Sequence, residues 1–353
     1  AEFVAASEEA FREVGDRGGL SWAQGLAAFC RLGEGDLDAA GEIAGRILRE
    51  SERRGDRFGV GMMLTALAHV ELWQGRARAA AASAERAVTA FASSTELAGT
   101  VGLEQAMAIA GRAEIMAGNT GKGRHLLAEA VRSGPGGAPS VYASGVALVT
   151  DVQLGRPERV VALDPDLWSV AAGSGRRGDQ DAALALALAQ SGRVAEAVRR
   201  ADAAVGSDPD HGYVVACAAL GAAAAGDHER ARERALRVLG LARATYLDRV
   251  WARIVLALVV PGEGGVDQLD LADGEIGPGE DVVAVALVDL ARLVLDARGE
   301  DRWRQADGVE PRGLDLGGSE VGRRLWELGL DDTRWVDLFV AVVTAGDLSA
   351  PAP

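Results

Sequence analysis

A glycine followed by a turn-forming residue recurs along this chain, at Gly35-Asp36, Gly75-Arg76, Gly118-Asn119, Gly155-Arg156, Gly192-Arg193, Gly226-Asp227 and Gly299-Glu300. The first six stand 40, 43, 37, 37 and 34 residues apart. Before each lies a largely apolar stretch of helix-forming residues. After each comes an amphipathic one, such as Leu37 to Glu50 or Ala77 to Phe91. Glycine supplies the left-handed conformation that stops a helix and lets the chain reverse. Helix, turn and helix at this period predict an all-α chain of stacked helical hairpins, since one hairpin cannot bury its apolar side alone.

A second echo starts the array earlier. Phe11-Arg12-Glu13-Val14-Gly15-Asp16-Arg17-Gly18-Gly19 parallels Ser51-Glu52-Arg53-Arg54-Gly55-Asp56-Arg57-Phe58-Gly59 at an offset of 40. Each Gly-Asp-Arg ends the second helix of a hairpin, so residues 3–14 read as a second helix without its first. The array is expected to start in mid-repeat, as a piece of something longer. Residues 1–260 read as repeats, and 261–353 as degenerate acidic repeats with a C-terminal cap. Within that last region, 261–280 reads as a loop or short helix, 281–298 as a strong helix, 307–319 as another loop, and 319–329 and 333–345 as two final helices.

Residues 178–211 resemble one 34-residue tetratricopeptide unit without a gap. Leu184 and Ala185 match the Leu-Gly pair of that family and Gly192 its turn. Ala197 and Ala204 match its small residues, and Asp208-Pro209 its terminal Asp-Pro. Residues 212–245 follow in register with Ala219, Gly226 and Ala231, although Leu188 and Ala222 stand where an aromatic is usual. The resemblance implies a right-handed superhelix, a solenoid of stacked hairpins whose first helices line a concave groove.

Composition fits close helix packing: 48% of residues are hydrophobic but only 5% aromatic, and alanine favours helix. A net charge of −15 argues against nucleic-acid binding, which needs clustered cations, and Lys122 is the only lysine. No apolar run reaches a membrane span, and the start lacks a signal-peptide pattern. Cys30 and Cys217 form no disulfide framework, so a soluble, cytoplasmic chain is expected.

No constellation carries catalysis. Gly118-Asn119-Thr120-Gly121-Lys122-Gly123 invites a phosphate-loop reading, but its spacing is wrong, Gly123 replaces the hydroxyl residue, and no strand precedes it. Asp208-Pro209-Asp210-His211 and Asp164-Pro165-Asp166 read as helix ends and caps rather than ligands. His69, His125, His211 and His228 share no ligand spacing. No catalytic residue, metal or cofactor is expected.

The tetratricopeptide register places Trp22, Phe29, Met62, His69, Trp73, Arg112, Met116, Tyr142, Gln153, Tyr213 and Cys217 along the groove. Trp, Tyr and Arg are the usual anchors of binding surfaces, and Met adapts to varied partners. The alternative is that many of them are inter-helix core, because one residue of register error exchanges the two. A protein or peptide partner, or a small ligand, is expected there, and an exposed repeat end can self-pair.

The Gly-Asp-Arg helix ends, the 40-residue Ala/Leu/Arg/Gly-rich units and the Arg-for-Lys bias resemble the C-terminal repeat regions of large actinobacterial signalling proteins. The tail from Arg323 to Trp335 resembles the end of their cyclase-type chains. That resemblance implies a non-catalytic sensor arm attached to an upstream signal-transduction ATPase, itself linked to an adenylate cyclase or a transcriptional regulator. The alternative is a stand-alone helical-repeat protein that binds, or acts on, a small molecule.

Overall fold

The computed structural model describes residues 2–93, 98–134, 139–162, 177–260, 263–277, 280–299, 319–330 and 332–348. These residues form eighteen helices and no strand. The chain divides into two units, Ala1–Ala147 and Leu148–Pro353. The composition change at 261 falls within the second unit.

The first unit comprises α1 (Glu2–Glu13), α2 (Arg17–Gly33), α3 (Leu37–Arg54), α4 (Arg57–Trp73), α5 (Ala77–Ala92), α6 (Ala98–Met116) and α7 (Thr120–Arg132). Helix α8 (Val141–Gln153) contains the division. The second unit continues with α9 (Glu158–Val161), α10 (Arg177–Gln190), α11 (Val194–Ser207), α12 (Gly212–Ala224) and α13 (His228–Gly240). It ends with α14 (Tyr246–Val259), α15 (Glu263–Ile276), α16 (Val282–Gly299), α17 (Glu320–Glu327) and α18 (Asp332–Leu348).

The six regularly spaced glycines from Gly35 to Gly226 all have positive φ, as do Gly15 and Gly55. Each turn uses one hydrogen-bond scheme. The N–H after the glycine reaches back to the carbonyl five residues earlier: Asp36 to Arg31 at 3.0 Å, Asp56 to Ser51 at 3.0 Å, Asn119 to Glu114 at 2.7 Å, Asp227 to Ala222 at 3.0 Å. This closes the helix on its otherwise unsatisfied carbonyls. Where the next residue is aspartate, its carboxylate also caps the following helix, accepting from Gly19 N, Ala39 N, Gly59 N and Arg230 N at 2.8–3.1 Å. One Gly-Asp pair therefore ends one helix and starts the next. Gly299 differs, being the last residue of α16.

Alternation follows from these reversals. In the first unit α2 packs on α4 and α4 on α6, while α3, α5 and α7 pack on the members of that row beside them in sequence. In the second, α10, α12, α14 and α16 form such a row, flanked by α11, α13 and α15. Small side chains let the rows close up: Ala185, Ala197, Ala201, Ala204, Ala218, Ala219 and Ala231 are all buried. The backbones of α6 and α7 come close together, so that a Cβ on Gly123 would meet Gly111 O at 2.4 Å.

Two expectations are refined. Over 261–280, where a loop or short helix is expected, residues 263–276 form a 14-residue helix. Its Leu269, Ala272 and Ile276 are buried at helical spacing, and Glu275 pairs with Arg253 of α14 at 3.0 Å. The glycines that suggested a loop permit a close approach instead: a Cβ on Gly265 would meet Ala257 O at 2.7 Å. At Asp208-Pro209-Asp210-His211, Asp208 ends α11, but His211 rather than an aspartate stands at the start of α12. The final helices and the strong helix at 282–299 form as expected. Asp164-Pro165-Asp166 and the loop at 307–318 lie outside the described residues.

The last helix adds a third layer in the second unit. Helix α18 packs against α10, α12, α14 and α16, and buries Trp335, Leu338, Phe339, Val342 and Val343. Trp335 lies tilted between Trp251 and Phe339, with ring centres 5.0 and 5.4 Å away, and its indole N–H donates to Gln153 O at 3.1 Å. All thirteen residues of α12 are buried, as expected of a helix with no polar face. Among the described residues no helix is long and apolar enough to cross a membrane.

The turns generate a prediction. A Cβ on Gly55 would touch nothing, so Gly55→Ala costs only the left-handed backbone penalty, roughly 1–2 kcal/mol. Gly123→Ala must push the backbones of α6 and α7 away from each other, and should lower the thermal midpoint of unfolding by more than Gly55→Ala does.

Candidate functional site

The expected groove residues fall in both units and differ in exposure. Trp22 is 42% exposed and stacks on Phe58 at 5.2 Å, at the start of α4. Trp73 lies at the far end of that helix, roughly 22 Å along its axis at 1.5 Å per residue. Phe29, Met62 and Trp73 are half-buried against the core around Leu32, Ala66 and Val70. Arg112 and Tyr142 are also half-buried. His69 and Met116 are buried, and so are Gln153, Tyr213 and Cys217 in the second unit. Those five side chains serve as inter-helix packing. In the second unit, moreover, α18 lies on the row that carries Tyr213 and Cys217.

What the first unit does bring together is His69, Trp73 and Tyr142. His69 and Trp73 lie one turn apart on α4, with their rings edge-on at 6.0 Å. His69 Nδ1 lies 2.8 Å from Thr65 O and Nε2 lies 3.0 Å from the Tyr142 hydroxyl. A carbonyl only accepts, so Nδ1 carries the proton, and in the neutral ring Nε2 accepts from Tyr142. The pair joins α4 to α8 across 73 residues of sequence.

Sequence reasoning missed a second polar group. Glu104 on α6 is buried, and its Oε2 has no hydrogen-bond partner among the described residues. Burial pushes its carboxyl above the ordinary range, while a hydrogen bond with Ser140 draws it partly back. Ser140 is itself buried and caps α8 through Ala143 N at 3.1 Å, two residues before Tyr142. A glutamate inside an Ala-rich helix was the available signal. Arg112 Nε is likewise buried without a partner among the described residues.

The segment with the phosphate-loop likeness has a structural role. Gly118 turns the chain at φ 96° and Gly123 meets α6. Lys122 bonds Glu85 of α5 and, at 2.7 Å, Glu114 of α6, so the only lysine ties three helices together. Asn119 adds a 2.6 Å bond to Glu114. Burial pushes the Glu114 carboxyl up, but the Lys122 and Asn119 bonds outweigh it and hold the group below its usual range. Both carboxylates raise the Lys122 pKa. Among the described residues no three His, Cys, Asp or Glu side chains gather as a metal site.

The sequence matches no protein-family model and no curated protein.

The two buried glutamates predict opposite pH responses. A carboxyl raised by folding binds its proton better in the folded chain, so the Glu104 contribution weakens as pH rises through its folded value. Glu114, being lowered, contributes above its unfolded value and loses that contribution as pH falls. At pH 7, Glu104→Gln should raise the thermal midpoint by about 2–4 °C if it relieves about 1 kcal/mol. Glu114→Gln should lower it, and thermal melts between pH 4 and 8 separate the two.

Proposed function

We propose that this chain is a tetratricopeptide-like helical-repeat module that binds a protein or peptide segment and has no catalysis of its own. The observation carrying this reading is the run of half-buried aromatic, methionine and arginine side chains on the α2, α4, α6 row. Among the described residues these helices pack on one another and on α1, α3, α5 and α7, and α8 reaches α4 through Tyr142. That row holds the half-buried Phe29, Met62, Trp73 and Arg112, and His69 touches both Trp73 and Tyr142. Aromatic rings locked in place by a hydrogen bond and by core contacts lose little entropy when a partner covers them. The reading includes the winding of the hairpins into a right-handed superhelix, so that this row faces inward.

In the wider protein the module acts as a sensor arm. A partner on the repeats biases an attached ATPase, cyclase or regulator domain through its preference for one state of the whole. The resemblance of the Gly-Asp-Arg helix ends and of the Arg323–Trp335 tail supports this role. The net charge of −15 supports a partner other than nucleic acid. A small ligand in place of a peptide is the second reading, favoured by the buried Glu104 carboxylate with one oxygen unpartnered among the described residues.

The test is binding of a fluorescent peptide library to the full chain and to Trp73→Ala/Tyr142→Ala. The best peptide should bind the double variant at least tenfold more weakly, a loss of about 1.4 kcal/mol or more, with unchanged far-ultraviolet helicity. Parallel loss of helicity and binding would show these rings to be framework. Absence of any peptide ligand, with a small molecule retained in native mass spectrometry, would favour the second reading.

A further inference from the structure

Helix α1 differs from the other outer helices of the first unit in what it leaves uncovered. Helices α3 and α5 each lie between two helices of the row, whereas α1 packs on α2. Val4, Glu8 and Phe11 are half-buried, and Phe11 lies against Gly19 of α2. A second face is bare: Phe3, Ser7, Ala10 and Val14 are exposed, Phe3 at 90% and Val14 at 76%. Forty residues on, at the corresponding places of α3, Ile43 and Ile47 pack into the core. The plan of the unit therefore covers this side of an outer helix, and on α1 it lies open. We infer that the stripe is a homotypic docking surface, on which α1 of a second copy of this chain lies antiparallel about a two-fold axis.

The stripe is complementary to itself. Its four residues are spaced 4, 3 and 4 apart, the period of a seam between two helices. A two-fold axis midway between Ser7 and Ala10 sets Phe3 of one copy against Val14 of the other, and Ser7 against Ala10. Large side chains then meet at the ends, while small ones at the centre let the helices approach. The N–H of Val14 reaches Ala10 O at 3.1 Å, so the last helical turn carries this residue too. Ser7 brings no orphan hydroxyl into the contact, because its Oγ already donates to Phe3 O at 2.8 Å. At 3.6 residues per turn, Glu9, Arg12 and Glu13 fall a quarter-turn or more from the stripe, so the seam itself carries no charge. A second copy fits better than a further hairpin of the same chain. Where α3 buries Ile47 and Leu48 among its neighbours, α1 has Ser7 and Glu8, and so lacks the apolar pair with which an outer helix meets its row. The inference does not rest on what the row of α2, α4 and α6 binds.

One helix face is small beside the roughly 1,200 Å² that durable complexes bury, so the pair should form with a dissociation constant of about 10–100 µM. Sedimentation equilibrium of the full chain across that range measures it. Both copies carry a net charge of −15, so added salt should strengthen a contact whose seam is apolar. Phe3→Glu and Val14→Glu alter exposed side chains. Helicity and thermal midpoint should stay as in the parent, while dimerisation weakens at least tenfold. The antiparallel register is checked by cross-linking. Under mild oxidation, a mixture of the Ser7→Cys and Ala10→Cys proteins should yield more disulfide-linked dimer than either protein alone, with the parent's Cys30 and Cys217 as background. A parent that stays monomeric across the range overturns the inference and leaves the face to another segment or partner. A dimer indifferent to both glutamates, or equal cross-linking with and without mixing, overturns it as well.

Discussion

The left-handed glycine that closes each helix is the constraint on which the rest of the structure depends. At Gly15, Gly35, Gly55 and Gly75, placed 20 residues apart, the same turn reverses the chain after helices of similar length. Since the residue after the glycine bonds back into the finished helix, and often caps the next one, the reversal angle is set locally. Helices reversed in this way at equal intervals bring every second one into a row. Packing then needs only small side chains where rows touch, and alanine and glycine occupy those places.

The two units put the same plan to different uses. In the first, aromatic and cationic side chains on the row stay half-buried, and a histidine–tyrosine hydrogen bond orders them. In the second, the row is apolar enough to need a cover, and the last helix supplies it. Burying Phe339 contributes on the order of 1.5–3 kcal/mol, and the buried Trp335, Leu338, Val342 and Val343 add to what holds this helix. The same surface chemistry thus serves as interior or as interface, depending on whether a further helix lies across it.

Charge plays a supporting role. Arginine dominates the cations, and most of its ion pairs are exposed ones that stabilise little. Arg253–Glu275 and Arg234–Asp202 are better buried, and the single lysine differs in linking three helices. By taking two carboxylates, Lys122 joins α5, α6 and α7 where glycines have already brought two backbones into contact. A segment that resembles a phosphate loop is therefore explained by packing alone.

Helix positions, reversals and the alternation of hairpins were legible in the sequence because they rest on local chemistry: backbone conformation at glycine, caps at aspartate, and apolar period. Glycine misled at 264–265, where its meaning was close helix contact, and that depends on a neighbouring element. The candidate groove was legible as a row but not as a surface. Whether Met116, Gln153 or Tyr213 faces solvent depends on how far neighbouring helices close over them, and in the second unit on a helix more than a hundred residues away. The bond between His69 and Tyr142, the unpartnered oxygen of Glu104 and the seating of Trp335 belong to that same class. Local preferences determined which helices form and where they turn. Only long-range packing decided which of their faces remain open, because exposure is a property of neighbours and not of the residue itself.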